Sequence, residues 1–286
     1  MSFVKKMFDS VFLFKVFLSF LAGGIFTAFT LYAAEKYGPK FGGMLAGLPS
    51  TTAVGLFFIG YAQSPKAASE AATLMPAAVG GSLIFVIFYV TLCKKLGYKL
   101  ALLTASIVWL AISLPLAFFR FEDIYAATLF FLAAWVTTLF YLGRKKTDEK
   151  MPEKIDYSLG QKVSRAVFAG GIIAFAVVIS SMFGPLWGGA LAAFPAMFLS
   201  SFMILCRAYG CEYSTAFAKN TPLGLLGVLP YLWGVHYFYP TYGLVYGTIF
   251  SYVLSIAATY AVYRLMDVFR KKDSSARIPG EVSVLE

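Results

Sequence analysis

Two prolines lie deep inside apolar stretches of this 286-residue chain, and hydroxyl side chains follow each of them. A proline removes one backbone N–H from a helix and leaves carbonyl groups without a partner. Hydroxyl groups beside such a break can bond these carbonyls or coordinate a solute, so the pattern indicates binding rather than covalent catalysis. The residues predicted to line a binding site are Gly47, Pro49, Ser50, Thr51 and Thr52 at the first break, and Pro195, Ser200 and Ser201 at the second.

A cation and an amide, Lys219 and Asn220, lie just inside another apolar stretch. Ionisable side chains at membrane depth are costly and are often functional. If Lys219 points inward, its natural partner is a carboxylate or phosphate group on the solute. The alternative is that its long side chain carries the ammonium group to the membrane interface. We include both residues in the predicted site, whose solute is small and polar, with an anion as one alternative.

Catalysis and cofactor binding find little support in the sequence. The chain has one histidine, no paired carboxylates inside its apolar stretches, and no glycine-rich phosphate-binding loop. We therefore predict that the protein is not an enzyme and that it holds neither a cofactor nor a metal ion. The three cysteines, Cys93, Cys206 and Cys211, are expected to be plain apolar or interfacial residues without a disulfide framework or metal partners.

The composition places these residues in a membrane protein. Hydrophobic residues make up 59% of the chain and charged residues 13%, which is too apolar for a soluble domain of this length. Stretches of about 20 apolar residues, each long enough to cross the hydrocarbon layer, recur between polar breaks. The predicted spans are 11–34, 41–61, 70–93, 99–119, 122–142, 163–183, 186–206, 214–236 and 242–265.

The positive charges indicate how the chain is oriented in a cell (inner) membrane. If the nine spans cross in turn, nineteen of the 24 Lys and Arg residues fall on one side and five on the other. Cytoplasmic loops carry the excess of positive charge, so the C-terminus is predicted in the cytoplasm and the N-terminus outside. Lys5 and Lys6 argue against this orientation, but every later loop supports it. The net charge of +10 therefore indicates contact with membrane lipids and not with nucleic acid.

The segment YGPKFGGMLAGLP at 37–49 returns as FGPLWGGALAAFP at 183–195, with seven of thirteen positions identical. The offset of 146 residues persists beyond this segment, because Pro76 falls on Pro222 and Gly97 falls on Gly243. We interpret the chain as an internal duplication. The predicted units are repeat 1 (11–119), a linker helix (122–142), a cytoplasmic linker (143–162), repeat 2 (163–266) and a disordered cytoplasmic tail (267–286).

Four spans in each repeat and one span between them reverse the direction of the second repeat. The fold class is therefore an all-α membrane protein with two inverted four-helix repeats joined by one helix. Inverted repeats with broken helices near the midplane are common among secondary transporters. Pro49 and Pro195 would each lie about 13 Å deep, from opposite faces of the bilayer, at 1.5 Å per helical residue.

Short motifs of the first repeat resemble the GlpM family of small four-helix inner-membrane proteins. They are Ala46-Gly47-Leu48-Pro49-Ser50-Thr51 and Ala105-Ser106-Ile107-Val108-Trp109. The resemblance covers residues 15–119 and, more weakly, 163–265, where Phe194-Pro195-Ala196 replaces the Pro-Ser-Thr step. It implies an origin as a duplicated four-helix unit fused through one added helix. It implies no substrate and no catalytic residue.

Three functions are compatible with this pattern. The first is a secondary transporter or facilitator of a small polar solute that binds between the two broken helices. The second is a flippase for a lipid or lipid carrier, which a laterally exposed basic strip would favour. The third is a non-transporting membrane scaffold of an envelope pathway, which predicts that the hydroxyls flanking the prolines are fully packed and that there is no cavity. The substrate, its coupling to ions and the oligomeric state stay open.

Overall fold

Every regular element among the described residues of the computed structural model is an α-helix. The structure describes residues 9–46, 49–145 and 158–276, without the side chains of residues 31, 33–46, 50, 263 and 265–276. Within these ranges, six helical segments are long enough and apolar enough to cross a membrane. This agrees with the helical membrane protein that the composition predicts.

Ten helices follow one another along the described parts of the chain. In order they are α1 (Ser10–Ala46), α2 (Ser50–Ala62), α3 (Pro65–Phe118), α4 (Ile124–Gly143), α5 (Leu159–Phe183), α6 (Pro185–Ala192), α7 (Ala196–Tyr209), α8 (Cys211–Ala218), α9 (Thr221–Leu225) and α10 (Val228–Ala276). Helices α6, α8 and α9 have eight residues or fewer. Each is about 12 Å long or shorter, so none of them crosses a bilayer alone.

The two longest helices are each interrupted at one glycine. Gly97 in α3 has φ 76° and ψ 159°, and Gly243 in α10 has φ 73° and ψ −176°. Essentially only glycine adopts this combination of angles without strain. A straight helix with the 54 residues of α3 would be about 80 Å long, far more than the roughly 30 Å of hydrocarbon. The glycine divides each of these helices into two arms.

Helix α1 packs against α5, and glycines make the closest contact. A Cβ atom on Gly24 would lie 3.2 Å from the carbonyl oxygen of Ala166. A Cβ atom on Gly170 would lie 3.2 Å from the ring of Phe20 and 3.3 Å from the backbone nitrogen of Gly24. Small residues allow transmembrane helices to approach each other at this distance. The backbones of α1 and α5 therefore cross directly at these glycines.

The short helix α6 packs against α2, α3 and α5. A Cβ atom on Gly189 would lie 3.0 Å from the carbonyl carbon of Ala71 in α3. On the α2 side, a Cβ atom on Gly55 would lie 2.9 Å from the Cβ atom of Ala192. Glycines on both contacts thus fix α6 among its neighbours, and α6 ends just before the second predicted break.

Aromatic side chains hold α3 against α7 and against the turn between α6 and α7. Tyr89 stacks on Phe202, with ring centroids 4.3 Å apart and planes within 5° of parallel. In the second arm of α3, the buried Trp109 donates its Nε1–H to the carbonyl oxygen of Ala78 at 3.0 Å. The same ring meets Phe194 edge-on at 5.1 Å. Trp109 therefore joins the two arms of α3 to the second proline break.

The beginning of the chain differs from the predicted spans. The sequence separates two spans between 34 and 41, whereas α1 remains helical through Pro39 to Ala46. A helix can continue through a proline at the loss of one hydrogen bond, and α3 does so at Pro76 and Pro115. The tight turn that Gly184 makes between α5 and α6, with φ 106°, therefore has no equivalent at Gly38.

The predicted cytoplasmic segments also have new boundaries. The tail was expected to be disordered from 267, but α10 continues to Ala276. This correction has a local cause, because residues 267–276 contain no glycine or proline, and the first helix breaker is Pro279. Residues 277–286 of the predicted tail lie outside the described residues. Of the predicted linker 143–162, residues 146–157 also lie outside, and α5 begins at Leu159.

Candidate binding site

Pro49 and Pro195 have similar backbone conformations and the same position relative to the helix that follows each of them. Each is the residue directly before a helix, with φ −71° and ψ 67° at Pro49 and φ −77° and ψ 49° at Pro195. Their carbonyl oxygens accept the N–H groups of Ala53 at 2.8 Å and Leu199 at 2.9 Å. Both prolines are buried. Each therefore begins a helix inside the packed molecule, where the missing N–H of proline costs no helical hydrogen bond.

The structure describes three side chains of the first break. Thr51 is half-buried, and Pro49 and Thr52 are buried. Gly47 lies outside the described residues, and Ser50 is the first residue of α2 but its side chain is not described. Towards the second break, Gly55 of α2 packs against Ala192 of α6. The two breaks thus border a pair of helices that touch.

The two serines after Pro195 have different partners. Ser200 donates its hydroxyl to the carbonyl oxygen of Met197 at 3.1 Å, within its own helix. Ser201 accepts a hydrogen bond from Nη2 of Arg165 in α5 at 2.9 Å. Both serines are buried. Only Ser201 therefore contributes its hydroxyl to a contact between helices.

Arg165 is the most prominent charge near the breaks. Its side chain is only 3% exposed, and its Nη2 also approaches the sulfur of Met197 at 4.0 Å. It lies about 9 Å along α5 from Leu159, within a segment long and apolar enough to span a membrane. An ionised group inside a membrane-spanning segment is costly, and such groups are often functional. The structure thus adds a fixed positive charge directly beside Ser201.

Arg165 is not among the residues predicted from the sequence, because its position at the start of a span groups it with the cytoplasmic cations. A signal was present in the helical period. The buried face of α5 includes Ala169, Ile173, Ala176 and Ser180, and Arg165 continues this face one turn earlier. A cation on the same stripe as small and apolar residues is predicted to face the protein interior rather than the interface.

Lys219 and Asn220 lie at the junction between α8 and α9. Lys219 directly follows α8 and is half-buried, whereas Asn220 is exposed. Trp135 of α4 contacts this junction, because its Nε1–H donates a hydrogen bond to the carbonyl oxygen of Pro222 at 2.9 Å. Lys219 and Asn220 therefore lie between α8 and α9, whereas Ser201 in α7 contacts Arg165 in α5.

The backbone beside Pro195 receives a hydrogen bond from the first half of the chain. Ser82 of α3 donates its hydroxyl to the carbonyl oxygen of Ala193 at 3.5 Å. A carbonyl next to a proline break needs such a partner in an apolar environment. The backbone just before Pro195 therefore contacts α3 through Ser82. The helix that follows Pro195 contacts Arg165 of α5 through Ser201.

The expectation that the three cysteines are unconnected is wrong. Cys93 and Cys211 form a disulfide, and the sulfur of Cys206 lies 3.5 Å and 3.0 Å from theirs. Gly210, with φ 90° and ψ 171°, turns the chain sharply between α7 and α8, so residues five apart meet. The third sulfur arrives from α3, and spacing along the chain does not reveal this contact.

Comparison with known proteins adds one match. A family described as "Protein of unknown function (DUF3147)" matches residues 16–122, which covers most of α1, α2, α3 and the turn after α3. No curated protein matches the chain. No solved structure matches it. The resemblance to the GlpM family and the internal duplication therefore stay predictions.

Proposed function

We propose that the protein is a secondary transporter or facilitator of a small organic or inorganic anion in the cell (inner) membrane. The solute binds beside the Pro195 break, at Ser201 and Arg165, between the bilayer midplane and the membrane face at which α5 begins. The observation that carries this proposal is the burial of the Arg165 guanidinium against Ser201, within a segment able to span a membrane.

The chemistry of arginine narrows the solute class. A guanidinium stays charged at every physiological pH, and its planar donors match the two oxygens of a carboxylate or phosphate. Its positive charge acts more strongly in a low-dielectric interior than at the surface. Lys219 is half-buried and reaches the interface more easily, so it is the weaker candidate. These properties favour an anion over a neutral polar solute.

The backbone supports the inverted-repeat architecture at the predicted offset of 146 residues. Pro49 and Pro195 share nearly the same angles, and so do Gly97 and Gly243 in φ. Dividing α3 and α10 at these glycines, pairing α6 with α7 and joining α8 and α9 to the first arm of α10 gives eight crossings. The 13-residue α2, about 20 Å long, is the proposed ninth crossing. The family match also ends at residue 122, close to the predicted end of repeat 1 at 119.

The contact between α1 and α5 is the pivot of the proposed alternating access. These helices begin the two repeats, and Gly24 meets Gly170, which lies in the corresponding Ala-Gly-Gly motif. Equivalent segments that touch each other are expected at the pseudo-twofold axis of an inverted repeat. Close backbone contact without long side chains lets one repeat rock against the other around a fixed site.

Flux through reconstituted protein tests the proposal. Liposomes containing the purified full chain are loaded with radiolabelled small carboxylates or phosphate, and efflux is compared with that of neutral analogues of similar size. We expect anion efflux from the wild-type protein, loss in Arg165→Gln and partial retention in Arg165→Lys, which keeps the charge but not the planar donors. Ser181→Ala, which removes a hydroxyl that bonds the carbonyl oxygen of Val177 within α5 at 3.1 Å, is the matched control and is expected to keep wild-type flux.

The proposal fails if no anion moves, or if Arg165→Gln transports as well as the wild type while retaining its melting temperature. Wild-type protein that shows neither flux nor stabilisation by any anion would favour the scaffold function, to which the tight glycine packing around α6 is suited.

A second candidate function has its own observation. A recess of about 630 Å³ at the end of α4 is lined by Thr137, Phe140, Tyr141, Arg144 and Lys145. Two cations above an apolar wall suit the headgroup and chain of an anionic lipid. If the protein is a flippase, the same liposomes will scramble a fluorescent anionic lipid. Arg144→Gln will then reduce this movement, and Arg165→Gln will leave it unchanged.

A further inference from the structure

We propose that Cys93, Cys206 and Cys211, when reduced, form a three-thiolate site for one thiophilic metal ion, with monovalent copper as the ion that fits best. The site is separate from the anion site and does not depend on the proposed transport function.

Three separate pieces of chain bring the sulfurs together. Cys93 lies in the first arm of α3, Cys206 lies near the end of α7, and Cys211 is the first residue of α8. All three sulfur atoms lie within 4.8 Å of one another. Because three thiolates around one copper ion are each about 2.3 Å from it, small side-chain movements are enough to surround the ion.

Two features beside the cluster favour thiolates at Cys93 and Cys211 and oppose the cost of burying their charge. Cys211 lies at the N-terminus of α8, where the helix dipole favours negative charge. The hydroxyl of Tyr89 lies 3.4 Å from the sulfur of Cys93 and 2.8 Å from the hydroxyl of Ser214. Lys94 and Glu212, the residues after two of the cysteines, form an ion pair across the same helices. This pair holds α3 and α8 together whether or not the sulfurs are bonded.

The ligand set decides the metal class. Among the described residues, the cluster contains three cysteine sulfurs and no histidine or carboxylate. Structural zinc sites take four ligands, whereas soft thiolates select monovalent copper, which is satisfied by three. Cys93 is only 1% exposed, and Cys206 and Cys211 are partly buried. We therefore predict that the three sulfurs bind Cu⁺ in preference to Zn²⁺.

Metal binding and the disulfide exclude each other. A dithiol reductant supplies two electrons and two protons, cleaves the bond between Cys93 and Cys211 and is itself oxidised to a disulfide. One Cu⁺ then binds the three sulfurs, and the thiol protons pass to the buffer. The reducing cytoplasm, on the side where the charge pattern predicts these helix ends, provides dithiols of this kind.

Competition for Cu⁺ tests the site in the full-length protein. The protein is purified in detergent, reduced, freed of reductant under argon and titrated against a chromophoric Cu⁺ chelator. We expect one equivalent of Cu⁺ to leave the chelator and to protect all three cysteines from alkylation, as counted by mass spectrometry. The chain has only these three cysteines, so no other thiol contributes to the count.

Matched variants separate metal binding from folding. Cys206→Ser retains both partners of the disulfide, so this variant is expected to fold and oxidise normally. Because it loses a direct ligand, its Cu⁺ affinity is expected to fall by more than about 100-fold, which is the largest usual effect of changing a residue that only contacts a ligand. Tyr89→Phe keeps the stack on Phe202 and removes one hydroxyl, and a loss of about tenfold is expected.

Three results overturn the proposal: a disulfide that persists in the folded protein after reductant treatment, no transfer of Cu⁺ to the reduced protein, or wild-type affinity in Cys206→Ser. Zinc binding by the three cysteines without Cu⁺ binding overturns the choice of metal.

Discussion

At the scale of single residues, two neighbouring serines in α7 make opposite predictions. Ser201 accepts a hydrogen bond from the buried Arg165, and Ser200 donates to its own helix. We expect Ser201→Ala to lower the free energy of unfolding by about 1.5–3 kcal/mol, the usual value for a hydrogen bond to a charged group. Ser200→Ala should change it by less than about 0.5 kcal/mol, because serine in a helix gains little from this bond.

Unfolding in mixed detergent micelles, followed by tryptophan fluorescence, measures both serine variants under the same conditions. Equal losses in Ser200→Ala and Ser201→Ala would contradict the assignment of Arg165 to Ser201 as a specific contact.

The candidate site was only partly predictable from its residues. Prolines and hydroxyls are visible in the sequence because their chemistry depends on the local backbone. Arg165 was assigned to the wrong environment, since a cation near a span end reaches either water or the protein interior. The cysteine cluster was missed altogether, because it depends on the turn at Gly210 and on a helix more than a hundred residues earlier.

At the scale of elements, two adjacent glycines of α5, Gly170 and Gly171, test the crossing of α1 and α5. A Cβ atom on Gly170 would press into the backbone of α1, whereas one on Gly171 would meet nothing within 4 Å. We expect Gly170→Ala to destabilise the protein by about 1–3 kcal/mol through overpacking. Gly171→Ala should be neutral or stabilising by up to about 1 kcal/mol, since alanine is the better helix former.

Thermal unfolding of the two glycine variants in detergent is sufficient to compare them. A destabilised Gly171→Ala beside an unaffected Gly170→Ala would mean that α1 and α5 do not cross at this face.

The interruption of α3 leads to a separate prediction. A Cβ atom on Gly97 would meet nothing within 4 Å, so the cost of Gly97→Ala is that of the backbone alone. With φ 76° and ψ 159°, we expect this cost to be about 1–3 kcal/mol. Gly143→Ala also places its Cβ in open space but without positive φ, and it should change stability by less than about 0.5 kcal/mol.

The same denaturation series checks the Gly97 and Gly143 pair. If Gly97→Ala were as stable as Gly143→Ala, α3 would pass through residue 97 as an ordinary helix and would not be divided there.

Elements were more predictable than their ends. The apolar period and the glycine and proline positions predicted helices wherever the structure has long apolar ones, because hydrocarbon length sets the size of a span. The continuous helix through Pro39 was not predicted, since one lost hydrogen bond does not decide between a turn and a kink. The short helices α8 and α9 were also missed, because the span 214–236 was predicted as continuous, whereas the chain breaks at Lys219 and Asn220 just before Pro222.

At the scale of the whole molecule, composition alone indicated a helical membrane protein, and the helices agree with it. The arrangement of two inverted repeats is a stronger statement, because it concerns the direction in which each helix crosses. Matching backbone angles at Pro49 and Pro195 support equivalent halves but do not determine their orientation. Whether the number of crossings is odd or even tests their orientation. Nine crossings put the two termini on opposite sides of the membrane, whereas an even number puts them on the same side.

The sidedness of the two termini is therefore the measurement to make first. Reporter enzymes that are active only outside or only inside the cytoplasm are fused, one at a time, to the N-terminus and the C-terminus of the full chain. The account predicts an external N-terminus and a cytoplasmic C-terminus. Both termini on the same side would mean an even number of crossings. This result would contradict the inverted repeats and the alternating-access site proposed between them.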